Sequence, residues 1–124
     1  FVTALLKKIR NAEKQESKYI ELLGTGKPLR QFMYAKDLAV AIKEMVDNDI
    51  TDSFNVAPTF NYSINEMANM AIEALDKNIE VKYPSKSLDG QYRKDVSSEK
   101  MLSILPKFKF TEFKEGIKKV YGKI

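Results

Sequence analysis

The chain has 124 residues, 44% of them apolar and 31% charged, with a net charge of +4. That suits one domain with a modest core, and its cations are interleaved with acids instead of gathered into the stripe that a nucleic-acid binder shows. Neither Cys nor His occurs, which excludes disulfides, thiolate metal sites, and the commonest general base and metal ligand at neutral pH.

Val2, Leu5, Leu6 and Ile9 recur at helical spacing, predicting a helix from Phe1 to about Gln15. Tyr19 to Leu23 reads as a strand. Gly24-Thr25-Gly26 supplies the permissive backbone of a turn, and Pro28 bars a helix. Gln31 to Tyr34 alternates polar and apolar, as a short half-buried strand does. Asp37 reads as the N-cap of a helix running to Asn48, with Leu38, Ala41, Ile42 and Met45 on its apolar face. Asp47-Asn48-Asp49 ends it. Ser53 to Ala57 reads as a strand. Ser63-Ile64-Asn65-Glu66 has the pattern of a capping box and opens a helix bearing Met67, Met70, Ala71, Ala74 and Leu75. Ile79 to Tyr83 is another predicted strand. Asp89-Gly90 is a turn signal, and Gln91 to Val96 reads as extended. A helix beginning at Ser97 or Ser98 carries Met101, Leu102 and Leu105, and Pro106 stops it. Thr111 reads as the cap of a last helix with Phe113, Ile117, Val120 and Tyr121 on one face. Helices and strands alternate, as in a mixed α/β domain.

No apolar run approaches a transmembrane span, and no signal-peptide pattern is present. No membrane partner and a cytoplasmic location are therefore expected. Phe1 stands within a helical pattern, so the chain reads as a fragment of a longer protein.

Much familiar chemistry is absent. Gly24-Thr25-Gly26 lacks the third glycine of a dinucleotide fingerprint and precedes a strand instead of opening a helix. There is no phosphate-binding loop of the G-x-x-x-x-G-K type, no Tyr followed four residues later by Lys, and no material for a Ser or Cys triad. What is offered is a set of cations with one carboxylate: Lys8, Arg30, Lys86, Asp89, Arg93 and Lys94. Beside a glycine turn, such a set suits a diphosphate and a sugar or ribose hydroxyl. Arg30 follows the turn directly, where a guanidinium reaches a phosphate with two parallel bonds. By spacing alone, the same residues better suit a solvated loop and a surface Arg paired with a carboxylate.

Residues 24–34, Gly-Thr-Gly-Lys-Pro-Leu-Arg-Gln-Phe-Met-Tyr, together with residues 85–94, Ser-Lys-Ser-Leu-Asp-Gly-Gln-Tyr-Arg-Lys, resemble the motifs of GDP-L-fucose synthases, which are extended short-chain dehydrogenase/reductases of the NAD-dependent epimerase/dehydratase family. In the second motif Leu88 stands as a one-residue insertion. The tail Leu105-Pro106-Lys107-Phe108-Lys109-Phe110-Thr111 and the helix after it resemble the family too.

The resemblance implies a small mixed α/β substrate-binding domain over residues 1–124. It would be the C-terminal part of a two-domain enzyme whose N-terminal Rossmann domain is absent here. The parent would use NADPH to epimerise GDP-4-keto-6-deoxy-mannose at carbons 3 and 5 and to reduce its ketone, making GDP-L-fucose, as a homodimer joined through the Rossmann domain. Lys8, Leu23, Arg30, Asp89 and Lys94 are the implied substrate-binding residues, Arg30 on the diphosphate. Leu23 stands where the family often has Trp. Catalytic and cofactor-binding residues would lie outside this chain, so the fragment alone is expected to bind no NADPH and to be inactive. A different nucleotide-sugar enzyme of the same class, such as one acting on a GDP-heptose, and a non-enzymatic interaction module are the alternatives.

Overall fold

The apolar spacing of residues 5, 6, 9 and 12 buries one stripe of the first helix completely. The computed structural model describes residues 1–84 and 89–124, so Lys86 lies outside the described residues. Their order is α1 (Val2–Lys14), β1 (Tyr19–Glu21), β2 (Leu29–Arg30), α2 (Ala35–Asp47), β3 (Tyr62–Ser63), α3 (Ile64–Ala74), β4 (Glu80–Lys82), β5 (Arg93–Lys94), α4 (Glu99–Ile104) and α5 (Phe113–Tyr121). The small mixed α/β fold expected from the sequence is the one observed.

β1 and β4 form a parallel two-stranded ladder, with Ile20 beside Val81. β2 is the centre of a three-stranded sheet, antiparallel to β3 and parallel to β5. The main core joins Leu5, Leu6 and Ile9 of α1 to Ile20 of β1, Met67 and Ala71 of α3, and Phe113 and Ile117 of α5. Each large aliphatic side chain buried this way contributes about 1.5–3 kcal/mol. A smaller cluster gathers Ala41 of α2, Met101 of α4, Leu105 and Phe108.

The capping box forms as expected. Ser63 Oγ accepts from the Glu66 amide at 3.1 Å, and Glu66 Oε2 accepts from the Ser63 amide at 2.7 Å. These reciprocal bonds hold the Glu66 carboxyl below its ordinary range.

Other local readings are corrected. Tyr34 is the N-cap of α2 and Asp37 is its third residue. Asp37 is buried, with its carboxylate accepting from the Thr111 amide at 2.8 Å and the Thr111 hydroxyl at 2.7 Å. Thr111 is thereby spent on Asp37, and Glu112 is the N-cap of α5. The strand expected at Gln31 to Tyr34 is displaced to Leu29–Arg30. From Gln31 onward a side chain replaces the ladder: its amide nitrogen donates to the carbonyls of Pro58 and Val96, and its oxygen accepts from the Val96 amide. Residues 53–57 form no strand. Phe54 and Val56 instead pack against the smaller cluster, so their alternation reflects packing without pairing.

Candidate functional site

Leu22 ends the β1 ladder by donating its amide to the Lys82 carbonyl at 2.9 Å. Leu23 then stands 78% exposed at the rim of a cavity. The cavity has a volume of about 350 Å³ and is lined by Leu23, Gly24, Gly26, Pro28, Arg30, Ile64, Asp89 and Gly90.

Both glycines of the turn are dictated by their surroundings. Gly24 has φ +81° and Gly26 φ +75°, conformations that L side chains rarely adopt. A Cβ at Gly24 would lie 2.5 Å from Asp89 Oδ1, and one at Gly26 would lie 2.5 Å from the Tyr83 ring. Behind the turn, the Tyr83 hydroxyl donates to Asn65 Oδ1 at 3.0 Å, and burial pushes the Tyr83 phenol up. The start of α3 closes the far wall, where the amides of Asn65 and Ile64 donate to the carbonyls of Gly26 (2.9 Å) and Pro28 (3.0 Å).

Asp89 is fastened to the turn. One oxygen accepts from the Thr25 amide at 2.9 Å and the other from the Thr25 hydroxyl. These bonds, hydroxyl first, hold its carboxyl below the ordinary range, and the charge of Lys27 adds to the effect. A carboxylate oxygen has a second lone pair, so Asp89 can latch the turn and still accept a ligand hydroxyl.

Arg30 is half-buried at the end of β2. Its Nη1 donates to the Leu29 carbonyl at 2.6 Å and reaches the Tyr92 carbonyl at 3.5 Å. No carboxylate pairs with it among the described residues, and its Nε and Nη2 have no acceptor there. Lys94 is its register partner across the β2–β5 ladder, and it too has no carboxylate partner among the described residues. Two adjacent cations repel, and an anion bridging them relieves that repulsion.

The structure thus gathers Leu23, Arg30 and Asp89 around one cavity and sets Lys94 beside Arg30. Lys8 is placed elsewhere: its Nζ donates to the Glu21 carbonyl at 2.6 Å, and it lines a separate concavity with Tyr19 and Glu21. Thr25, Tyr83 and Ile64 were not anticipated as parts of the site. Thr25 lies in the glycine motif but its partner is 64 residues away, so no local pattern announces it. A larger cleft of about 430 Å³ lies between the end of α1 and residues 77–79, but its facing charges, Glu13 and Lys77, neutralise one another.

The family model for GDP-mannose 4,6 dehydratase matches residues 1–115. The chain belongs to that family. Within it, the chain is 33% identical over 102 residues to the GDP-L-fucose synthase of Dictyostelium discoideum, covering 80% of this chain and 32% of that protein. The fold superposes on a crystal structure of a GDP-L-fucose synthetase from Naegleria fowleri bound to NADP with a TM-score of 0.83 at 25% identity, covering 98% of this chain and 37% of the other. It superposes on a GDP-mannoheptose C4 reductase from Campylobacter jejuni with a TM-score of 0.76 at 26% identity, covering 99% and 44%. The chain therefore spans between 32% and 44% of the length of these relatives. For this member of the GDP-mannose 4,6 dehydratase family, the cavity at Gly24–Arg30 and Asp89 lies wholly within the matched residues.

Proposed function

We propose that the chain is the substrate-binding part of a nucleotide-sugar epimerase/reductase that uses NADPH to make GDP-L-fucose from GDP-4-keto-6-deoxy-mannose. The observation that carries this reading is Arg30, a guanidinium at a strand end whose Nε and Nη2 meet no acceptor among the described residues, opening into a cavity whose turn is latched by Asp89. Arg30 and Lys94 would hold the diphosphate, Asp89 would accept a ligand hydroxyl, and Leu23 would cover the rim. Lys8 would contribute only if the ligand extends past Leu23 towards Glu21.

NADPH and the acid–base groups would belong to an N-terminal Rossmann domain outside these residues, and the parent would dimerise through that domain. The outer face of α2 supports a missing neighbour: Leu38, Ile42 and Val46, spaced one turn apart, are 40%, 52% and 70% exposed. The Campylobacter relative favours a second substrate, a GDP-heptose, for the same cavity.

The test is a nuclear magnetic resonance titration of the chain with GDP-L-fucose at millimolar ligand. Shifts centred on Gly24, Arg30 and Asp89 are expected. Shifts confined to the concavity at Lys8, or none, would contradict the assignment. Stronger perturbation by a GDP-heptose than by GDP-L-fucose would select the second substrate.

A further inference from the structure

The ladder register extends the cavity's working face beyond the residues that line it. Side chains two apart on a strand share a face, and paired residues stand side by side. Pro28 and Arg30 of the β2 segment line the cavity. Across the parallel ladder Arg30 pairs with Lys94 and Leu29 with Arg93. Lys94 therefore stands on the same face as Arg30, while Arg93 stands on the other, paired with Asp95. Tyr92 immediately precedes β5, two residues before Lys94.

Tyr92 is 63% exposed. The other well-exposed aromatics are engaged: Phe1 lies against Phe32, and the Lys82 ammonium sits over the Tyr19 ring. The Tyr92 ring meets no other ring or cation among the described residues. Its backbone is fixed where it matters, since its carbonyl accepts from the Leu29 amide at 2.8 Å and faces Arg30 Nη1. In a nucleoside diphosphate, one ribose separates the base from the phosphates. A partner for the base must therefore sit beside the phosphate-binding group. The cavity lining itself offers no aromatic surface.

We propose that Tyr92 supplies the aromatic face on which the purine of the bound nucleoside diphosphate stacks, with the phosphates on Arg30. This deepens the reading of the cavity as a nucleotide-sugar site and rests on it. Stacking on an aromatic side chain is tolerant of base identity, so Tyr92 sets affinity for the nucleoside, and discrimination among bases lies elsewhere.

The test compares GDP with inorganic pyrophosphate, which has no base, on the unmodified chain, Tyr92→Ala, Tyr92→Phe and Arg30→Ala. Tyr92→Ala is expected to weaken GDP binding about tenfold and to leave pyrophosphate binding unchanged. Tyr92→Phe should bind both like the unmodified chain, with saturation transfer from its ring to guanine H8. Equal losses for GDP and pyrophosphate in Tyr92→Ala, or no loss for GDP, overturn the stacking role. Arg30→Ala should weaken both ligands. If it weakens neither, the phosphate site falls whatever Tyr92 does. Absence of any GDP binding by the unmodified chain at millimolar ligand overturns both assignments. Because Tyr92 is exposed, its variants should melt as the unmodified chain does, which separates lost stacking from lost folding.

Discussion

Asp89 holds Thr25 twice, through the backbone amide at 2.9 Å and through the hydroxyl, across 64 residues of sequence. This closes the glycine turn against the segment that leads into β5. It therefore sets the distance between Leu23 on one rim and Gly90 on the other. A turn of this kind is cheap to form and easily opened, and the latch gives it one geometry before any ligand arrives.

Thr25→Val removes the hydroxyl donor while keeping shape and the backbone bond. It should weaken GDP binding severalfold with little change in melting temperature, because the lost bond is exposed. Asp89→Asn should weaken it more, since it removes the charge as well as an acceptor. Calorimetric titration of both variants checks the order. Asp89→Asn binding as tightly as the unmodified chain would remove the latch from the site.

The latch also has a pH signature. The folded-state pKa of Asp89 is depressed, so its contribution is complete above the unfolded carboxylate value and is lost as pH falls through the folded value. With no histidine in the chain, no side chain of ordinary pKa titrates near neutrality. Affinity for GDP-L-fucose, whose doubly esterified diphosphate does not ionise near neutrality, should be flat from pH 8 down to about 5 and should fall only below the ordinary carboxylate value, about pH 4. A step between pH 6 and 7 would point to a group other than Asp89.

A second long-range contact concerns folding more than binding. Asp37 is 7% exposed and accepts both bonds from Thr111, tying the start of α2 to the start of α5. Asp37→Ala should destabilise the chain by about 1.5–3 kcal/mol, the usual worth of a hydrogen bond to a charged group. Denaturant melts measure it. A loss within about 0.5 kcal/mol would show that the buried carboxylate contributes little.

The two aspartates show which parts of the fold were legible in the sequence. Helix α1 could be read because Leu5, Leu6 and Ile9 carry their own period, and the start of α3 because Ser63 and Glu66 cap each other across a single turn. Asp37 looked like a cap for the same local reason, but its partner is 74 residues away and overrode the local pattern. Gln31 likewise broke an apparent strand by bonding to Pro58 and Val96. The Gly24–Arg30 half of the site was visible as one motif. The Asp89 half was visible as a second motif, but the contact between them was not. Tyr92 came into view only through ladder register, which no spacing within residues 85–94 specifies.

Gly26 gives a third check on the site's construction. Gly26→Ala places a methyl against the Tyr83 ring at a positive φ. The turn must shift, and Tyr83 must release Asn65. Both a lowered melting temperature and weaker GDP binding are expected. An Ala variant that melts and binds normally would mean that the turn has freedom this geometry does not allow.

The most direct measurement is GDP affinity in Arg30→Ala and Arg30→Lys, compared with the unmodified chain. Arg30→Ala should lose about 1.5–3 kcal/mol of charge-assisted bonding, roughly a ten- to hundredfold rise in Kd at 1.4 kcal/mol per decade. Arg30→Lys should recover only part of it, because an ammonium keeps the charge and loses the two-pronged geometry. Unchanged affinity in Arg30→Ala, with only a small shift in thermal stability, would contradict the phosphate-binding role and reduce Arg30 to a surface residue.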